Sequence, residues 1–171
     1  MSARHLTKRF FGSLGSTRLT DSDQVWARSH LIPSEQLLWS KMSNTDQRHA
    51  CAVVRDVLDQ LGSDATRPVL AAALLHDVGK VRVNAGTWFR VLATLLGKLL
   101  RTETTKSWTD SSGLRGRVGS YLNHHEIGAA MLQEAGSDPI TVAWAREHEL
   151  PRENWTLPDH LTKALWQADN H

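Results

Sequence analysis

One dipeptide carries the strongest chemical signal in this sequence. His76 and Asp77 follow directly on the apolar run Ala-Ala-Ala-Leu-Leu of residues 71–75. An imidazole and a carboxylate at the end of an apolar helix are costly to bury unless something pairs with them. A divalent metal ion is a favourable partner for both groups. The dipeptide therefore predicts a metal site whose other ligands come from elsewhere in the chain.

Further imidazoles and carboxylates lie on separate apolar segments. His49 falls near an apolar stripe upstream, and the segments downstream contain His124, His148 and Asp169. If these side chains converge in a helical core, they form a mixed nitrogen and oxygen site. Such a donor set suits Mn, Fe, Co or Zn better than Ca or Mg. The sequence therefore predicts a centre of one or two such divalent ions.

The order His, His-Asp, His, His, Asp resembles that of the HD-domain superfamily of metal-dependent phosphohydrolases. The resemblance is carried by Leu-Leu-His-Asp-Val-Gly-Lys at residues 74–80, by His-x-x-x-Gly-Ala at residues 124–129 and by Ala-Asp at residues 168–169. It covers roughly residues 44–170. It implies an all-α fold, the HD-domain helical bundle.

The resemblance also implies that two ions share one carboxylate. The implied ligands are His49, His76, Asp77 and Asp169 for the first ion, and Asp77, His124 and His148 for the second ion.

Three more residues are candidates for substrate contacts. Lys80 lies one helical turn past the dipeptide. One interpretation makes it a catalytic residue, together with Asp77, that neutralises a phosphate oxygen of the substrate. The other makes it a cation that is favoured at a helix C-terminus. The family spacing of His, three residues and Gly selects His124 as the ligand. His125 lies about 100° further around the helix, so we expect it to face substrate or solvent. Arg82 is the third candidate, at the start of a basic segment.

Glutamates stand beside some of the predicted ligands. Glu126, Glu147 and Glu149 either orient imidazoles by hydrogen bonds or belong to the solvated helix surface. The surface interpretation is favoured for Glu147 and Glu149.

The charge of the chain is unevenly distributed, although the net charge is only +2. Residues 82–117 contain seven Lys or Arg against two acidic residues, which favours a small anionic partner such as a nucleotide. No DNA-binding motif is evident. Residues 88–100 form an amphipathic run, for which core packing is favoured over contact with a membrane surface. Residues 102–117 have the composition of a loop.

The size of the chain fits one domain. Its 171 residues, 40% of them hydrophobic, are enough for a single core. Cys51 is the only cysteine, so no internal disulfide is predicted. No segment has the roughly 18 apolar residues of a membrane span, and no signal peptide is recognised. We expect a flexible lead at residues 1–20, a single HD-type domain at residues 21–171, and a cytoplasmic protein.

Helical periodicity and its start and stop signals predict the elements. One short helix follows Thr20 and another begins at Pro33, and both are interpreted as lids on the main bundle. Asn44 or Thr45 is predicted to cap a longer helix that Gly62 ends. One further helix is predicted to start at Pro68, and three others are predicted at about residues 121–135, 139–149 and 158–169.

The leading functional hypothesis is a metal-dependent phosphohydrolase. By the resemblance, it would use a metal-activated water to hydrolyse a phosphoester or phosphoanhydride of a nucleotide or dinucleotide. Two alternatives belong to other classes. One is a di-iron oxygenase of the same superfamily, and the other is a non-catalytic module that binds a nucleotide or a partner protein.

Overall fold

The computed structural model describes residues 18–82 and 123–170. Within these two stretches the chain forms seven α-helices and three short 3₁₀ helices, with no strand, which confirms the predicted all-α fold. The α-helices are α1 (Asp21–Ser29), α2 (Pro33–Trp39), α3 (Asn44–Leu61), α4 (Arg67–Leu75), α5 (His124–Glu134), α6 (Pro139–Glu147) and α7 (Asp159–Asn170). The 3₁₀ helices are Gly62–Asp64, Val78–Arg82 and Arg152–Asn154.

Helix α4 lies at the centre of the fold. Its residues 69–75 are all buried, because the sequence there has no polar face. Helices α3 and α6 both pack against α4, and α7 packs against α3. Helix α5 packs against α6 and against the 3₁₀ helix that follows α4. This arrangement surrounds the C-terminal end of α4 with four other elements.

The two N-terminal helices contribute to the core. Ala27 of α1 and Trp39 of α2 are fully buried, in the same apolar cluster as the residues of α4. The Trp39 indole N–H donates to Gln24 Oε1 at 2.8 Å, which ties α2 to α1. Leu19, in the segment interpreted as a lead, also packs against this cluster. The interpretation of α1 and α2 as lids was therefore wrong.

The predicted cap of α3 was wrong by one or two residues. Ser43 precedes the helix in an extended conformation, and its hydroxyl accepts the backbone N–H of Asp46 at 3.2 Å. The side-chain oxygen of Asn44 instead accepts the backbone N–H of Leu19 at 2.9 Å. The predicted end was correct, since Gly62 has φ +51°, a conformation that glycine adopts without steric cost.

Some predictions fall outside the described residues. They include the amphipathic run at 88–100, the loop at 102–117, most of the predicted lead and the side chain of Arg82. Across residues 18–82 and 123–170, the helices are too short or too polar to cross a membrane. Cys51 is fully buried, and burial raises the pKa of its thiol to about 11, as expected for a small core residue.

Candidate metal centre

The end of helix α4 places the His-Asp dipeptide inside the fold. His76 directly follows α4 and keeps helical backbone angles, and both His76 and Asp77 are buried. The His76 Nδ1 lies 2.9 Å from the carbonyl oxygen of Ala73, one turn earlier in α4. This contact orients the ring so that Nε2 faces away from α4, toward the side chains of the neighbouring helices.

The first group of side chains joins α3, α4 and α7. The Nε2 atom of His49 lies 2.8 Å from Oδ1 of Asp169. The same Asp169 oxygen lies 3.4 Å from Nε2 of His76, which in turn lies 3.5 Å from Oδ2 of Asp77. Ligand atoms of His49, His76 and Asp77 all lie within 4.8 Å of one another. A metal ion could therefore contact all three side chains, with Asp169 beside them.

The second group joins the dipeptide to α5 and α6. The Asp77 Oδ1 atom lies 3.1 Å from Nε2 of His124 and 3.8 Å from Nε2 of His148. His148 ends α6, and its Nδ1 lies 3.1 Å from the carbonyl oxygen of Ala145. Asp77, His124 and His148 also offer ligand atoms within 4.8 Å of one another. Asp77 thus belongs to both groups.

The structure brings all six predicted ligands together, and their chemistry fits a metal centre. Backbone carbonyls hold the Nδ1 atoms of His76 and His148, which leaves both Nε2 atoms directed at the carboxylates. Proteins commonly fix metal-binding imidazoles by hydrogen bonds of this kind. The buried cluster could therefore hold a metal ion. The identity and number of the ions stay predictions.

The surroundings of His76 and His148 shift the pKa values of these two imidazoles in opposite directions. Burial lowers the pKa of His76, but Asp77 and Asp169 together outweigh burial and raise this pKa to about 9. Burial and the nearby charge of His76 lower the pKa of His148 to about 4. Burial opposes ionisation of Asp77, yet Lys80 and the imidazoles hold its pKa well below the usual value. Without metal, His76 is therefore protonated beside ionised carboxylates, whereas His148 is neutral.

Lys80 contacts the cluster directly. It lies in the 3₁₀ helix after α4, and its Nζ donates to Oδ2 of Asp77 at 2.5 Å. The ammonium group therefore faces the carboxylate of the dipeptide and lies beyond the end of α4. Its predicted role toward a phosphate oxygen stays a prediction.

The glutamates beside the ligands differ from one another. Glu147 is buried, and its carboxylate accepts the backbone N–H and the hydroxyl of Thr156 at 2.7 and 2.6 Å, so the surface interpretation was wrong for this residue. Glu126 lies on the surface, with Oε2 3.3 Å from Nε of Arg146. Glu149 lies at the edge of the cluster, and its Oε2 is 3.7 Å from Nδ1 of His125.

Two glycines set the distance between the dipeptide and α5. A Cβ atom on Gly79 would lie 1.9 Å from the carbonyl oxygen of His124, and one on Gly128 would lie 3.1 Å from the backbone nitrogen of Gly79. The backbones touch here because neither residue has a side chain. Both glycines belong to the motif blocks at residues 74–80 and 124–129, although the motif pattern alone does not predict this contact. Their contact brings the first residue of α5, His124, next to Asp77.

Comparison of the chain with protein-family models, with curated proteins and with solved structures gave no match in any of the three. The resemblance to the HD-domain superfamily therefore rests on the motif residues, and membership of that family stays a prediction.

Proposed function

We propose that the protein is a metal-dependent phosphohydrolase that cleaves a phosphoester or phosphoanhydride bond of a small anionic substrate, such as a nucleotide or dinucleotide. The observation that carries the proposal is the shared position of Asp77. Its carboxylate lies within reach of two groups of potential ligands, one with His49 and His76 and the other with His124 and His148. Two ions that share a carboxylate form a common arrangement for phosphoryl chemistry.

Divalent ions bound at such a site supply Lewis-acid polarisation of the phosphoryl group and a water that ionises near neutral pH. The chain's own residues hold the carboxylates in place for this chemistry. Lys80 binds Oδ2 of Asp77, while Oδ1 faces the imidazoles of His124 and His148. The carboxylate of Asp77 therefore contacts the ammonium group of Lys80 through one oxygen and faces His124 and His148 with the other.

The charge balance of the cluster supports an anionic substrate. The six residues contribute two carboxylates, Asp77 and Asp169, and four imidazoles that are neutral when they bind a metal. Lys80 adds one positive charge. Two divalent ions would therefore leave the centre with a net positive charge, which attracts phosphate groups. The basic composition of residues 82–117 acts in the same direction.

The proposal is tested by phosphate release from a panel of nucleotides, dinucleotides and a generic phosphodiester, with Mn as the added metal. We expect turnover by the native protein and by Glu126→Gln, a matched control because Glu126 pairs with Arg146 on the surface. We expect turnover by Asp77→Asn to fall to background, since this substitution removes the shared charge. Native protein that releases no more phosphate than Asp77→Asn would refute the proposal. Turnover with Mn under anaerobic conditions would exclude the oxygenase alternative.

A further inference from the structure

Glu149 lies beside the second group of potential ligands. It follows His148 directly, and its Oε1 atom is 3.8 Å from Nε2 of His124. Its side chain is 47% exposed, so it stands at the border between the buried cluster and solvent. The Nε2 atom of His124 also lies 3.1 Å from Oδ1 of Asp77. This nitrogen therefore has carboxylate oxygens of two different residues within 4 Å.

The distances from His124 Nε2 to the two carboxylate oxygens are close to those expected for ligands that share a cation. Nitrogen and oxygen ligands that bind a transition ion at their usual bond lengths are separated from one another by about 3.0–3.5 Å. The separation of 3.1 Å from His124 Nε2 to Asp77 Oδ1 lies within this range, and the separation of 3.8 Å to Glu149 Oε1 lies slightly above it. The side chain of Glu149 is 47% exposed and is therefore free to rotate, and a rotation that shortens the 3.8 Å separation would bring its oxygen into the same range.

The other glutamates nearby already have partners of a different kind. Glu147 accepts two hydrogen bonds from Thr156, and Glu126 pairs with Arg146. The carboxylate of Glu149 faces two imidazoles, those of His124 and His125. It is therefore the glutamate of this region that is positioned to bind a cation together with His124.

We propose that Glu149 is a ligand of the second metal ion, together with Asp77, His124 and His148. This inference rests on the proposed two-ion centre and extends it. With Glu149, the second position has two imidazoles and two carboxylates, the same donors as the first position, where His49 and His76 accompany Asp77 and Asp169. Without it, the second group has, among residues 18–82 and 123–170, a single carboxylate, that of Asp77, which it shares with the first group. Glu149 thus gives the second position a carboxylate of its own.

The test is a titration of metal-free protein with Mn and with Zn, in which ion stoichiometry and both dissociation constants are measured by competition with a chromophoric chelator. We expect two ions per chain in the native protein. In Glu149→Gln we expect the affinity for the second ion to fall at least about tenfold and that for the first ion to stay unchanged. Glu126→Gln, which replaces a glutamate of similar exposure (50%), should bind as the native protein does.

Glu149→Ala serves as a second variant with the same expected loss, and melting curves in EDTA check that each variant is folded. Native affinity for both ions in Glu149→Gln and Glu149→Ala would overturn the role of Glu149 and leave the proposed function standing. Native protein that binds fewer than two ions would overturn the two-ion centre and this inference together.

Discussion

The carboxylate of Asp169 lies 2.8 Å from the imidazole of His49, although 120 residues separate the two along the chain. Helix α7 packs against α3, and this packing carries Asp169 to the end of α4, where its Oδ1 also approaches His76. The last turn of α7 is closed by the side-chain amide of Asn170, which donates to the carbonyl oxygen of Trp166 at 2.8 Å. Asp169 is therefore held in a regular helical turn that faces the cluster.

We predict from this contact that His49 and Asp169 act on the same ion. Asp169→Asn and His49→Ala should each lower the affinity for the first ion at least about tenfold, since each substitution removes a ligand. The double variant should lose less than the sum of the two free-energy changes, by about 0.5–3 kcal/mol, because partners in one site are not independent. The dissociation constants of the native protein and the three variants give this coupling. Strictly additive losses would contradict a shared ion.

The pKa of His76 predicts how metal binding depends on pH. Although burial lowers this pKa, Asp77 and Asp169 together raise it to about 9, so at pH 7.5 the metal-free protein carries a proton on His76. An imidazole must lose its proton to bind a metal. Binding of the first ion should therefore release the proton of His76 at pH 7.5, and the affinity for this ion should rise with pH up to about 9.

Calorimetric titrations in two buffers with different ionisation enthalpies measure the released protons. The second ion provides an internal comparison, because the pKa of His148 is lowered to about 4 and this imidazole is already neutral at pH 7.5. If the first ion binds without proton release, His76 is not the ligand that the geometry indicates.

Much of the fold and of the cluster could be predicted from the sequence. Helices bury one face, so a histidine near an apolar stripe, such as His49, points toward the core. The apolar segment before His76 has no polar face, which marks α4 as central. These two regularities, with the order of the motif residues, were sufficient to select the six side chains that meet.

The remaining features depend on contacts that no periodicity encodes. Ser43, Asn44 and Thr45 are consecutive cap-forming residues, and only the backbone conformation selects Ser43. Glu147 was assigned to the surface because its partner Thr156 lies in an irregular segment nine residues later. The close approach of Gly79 and Gly128 depends on how α5 crosses the 3₁₀ helix after α4, which the pattern of apolar residues does not specify.

That approach gives the last prediction, which concerns Gly79. A methyl group on Gly79 would meet backbone atoms of His124 at 1.9 Å and of Gly128 at 2.7 Å, and backbone cannot move aside as a flexible side chain can. Gly79→Ala should therefore separate the 3₁₀ helix from α5. We expect a loss of about 1–3 kcal/mol, or more, in the free energy of unfolding.

The same displacement moves His124 away from Asp77. In Gly79→Ala the affinity for the second ion should therefore fall more than the affinity for the first ion. Gly128→Ala is a matched control at the same interface, where the added methyl group meets its nearest atoms at 3.1 and 3.4 Å. Its cost should be smaller, because shifts of a few tenths of an ångström relieve these contacts. Urea unfolding in EDTA and Mn titration measure the two effects. Equal losses in the two variants would show that the close approach at Gly79 does not determine the position of α5.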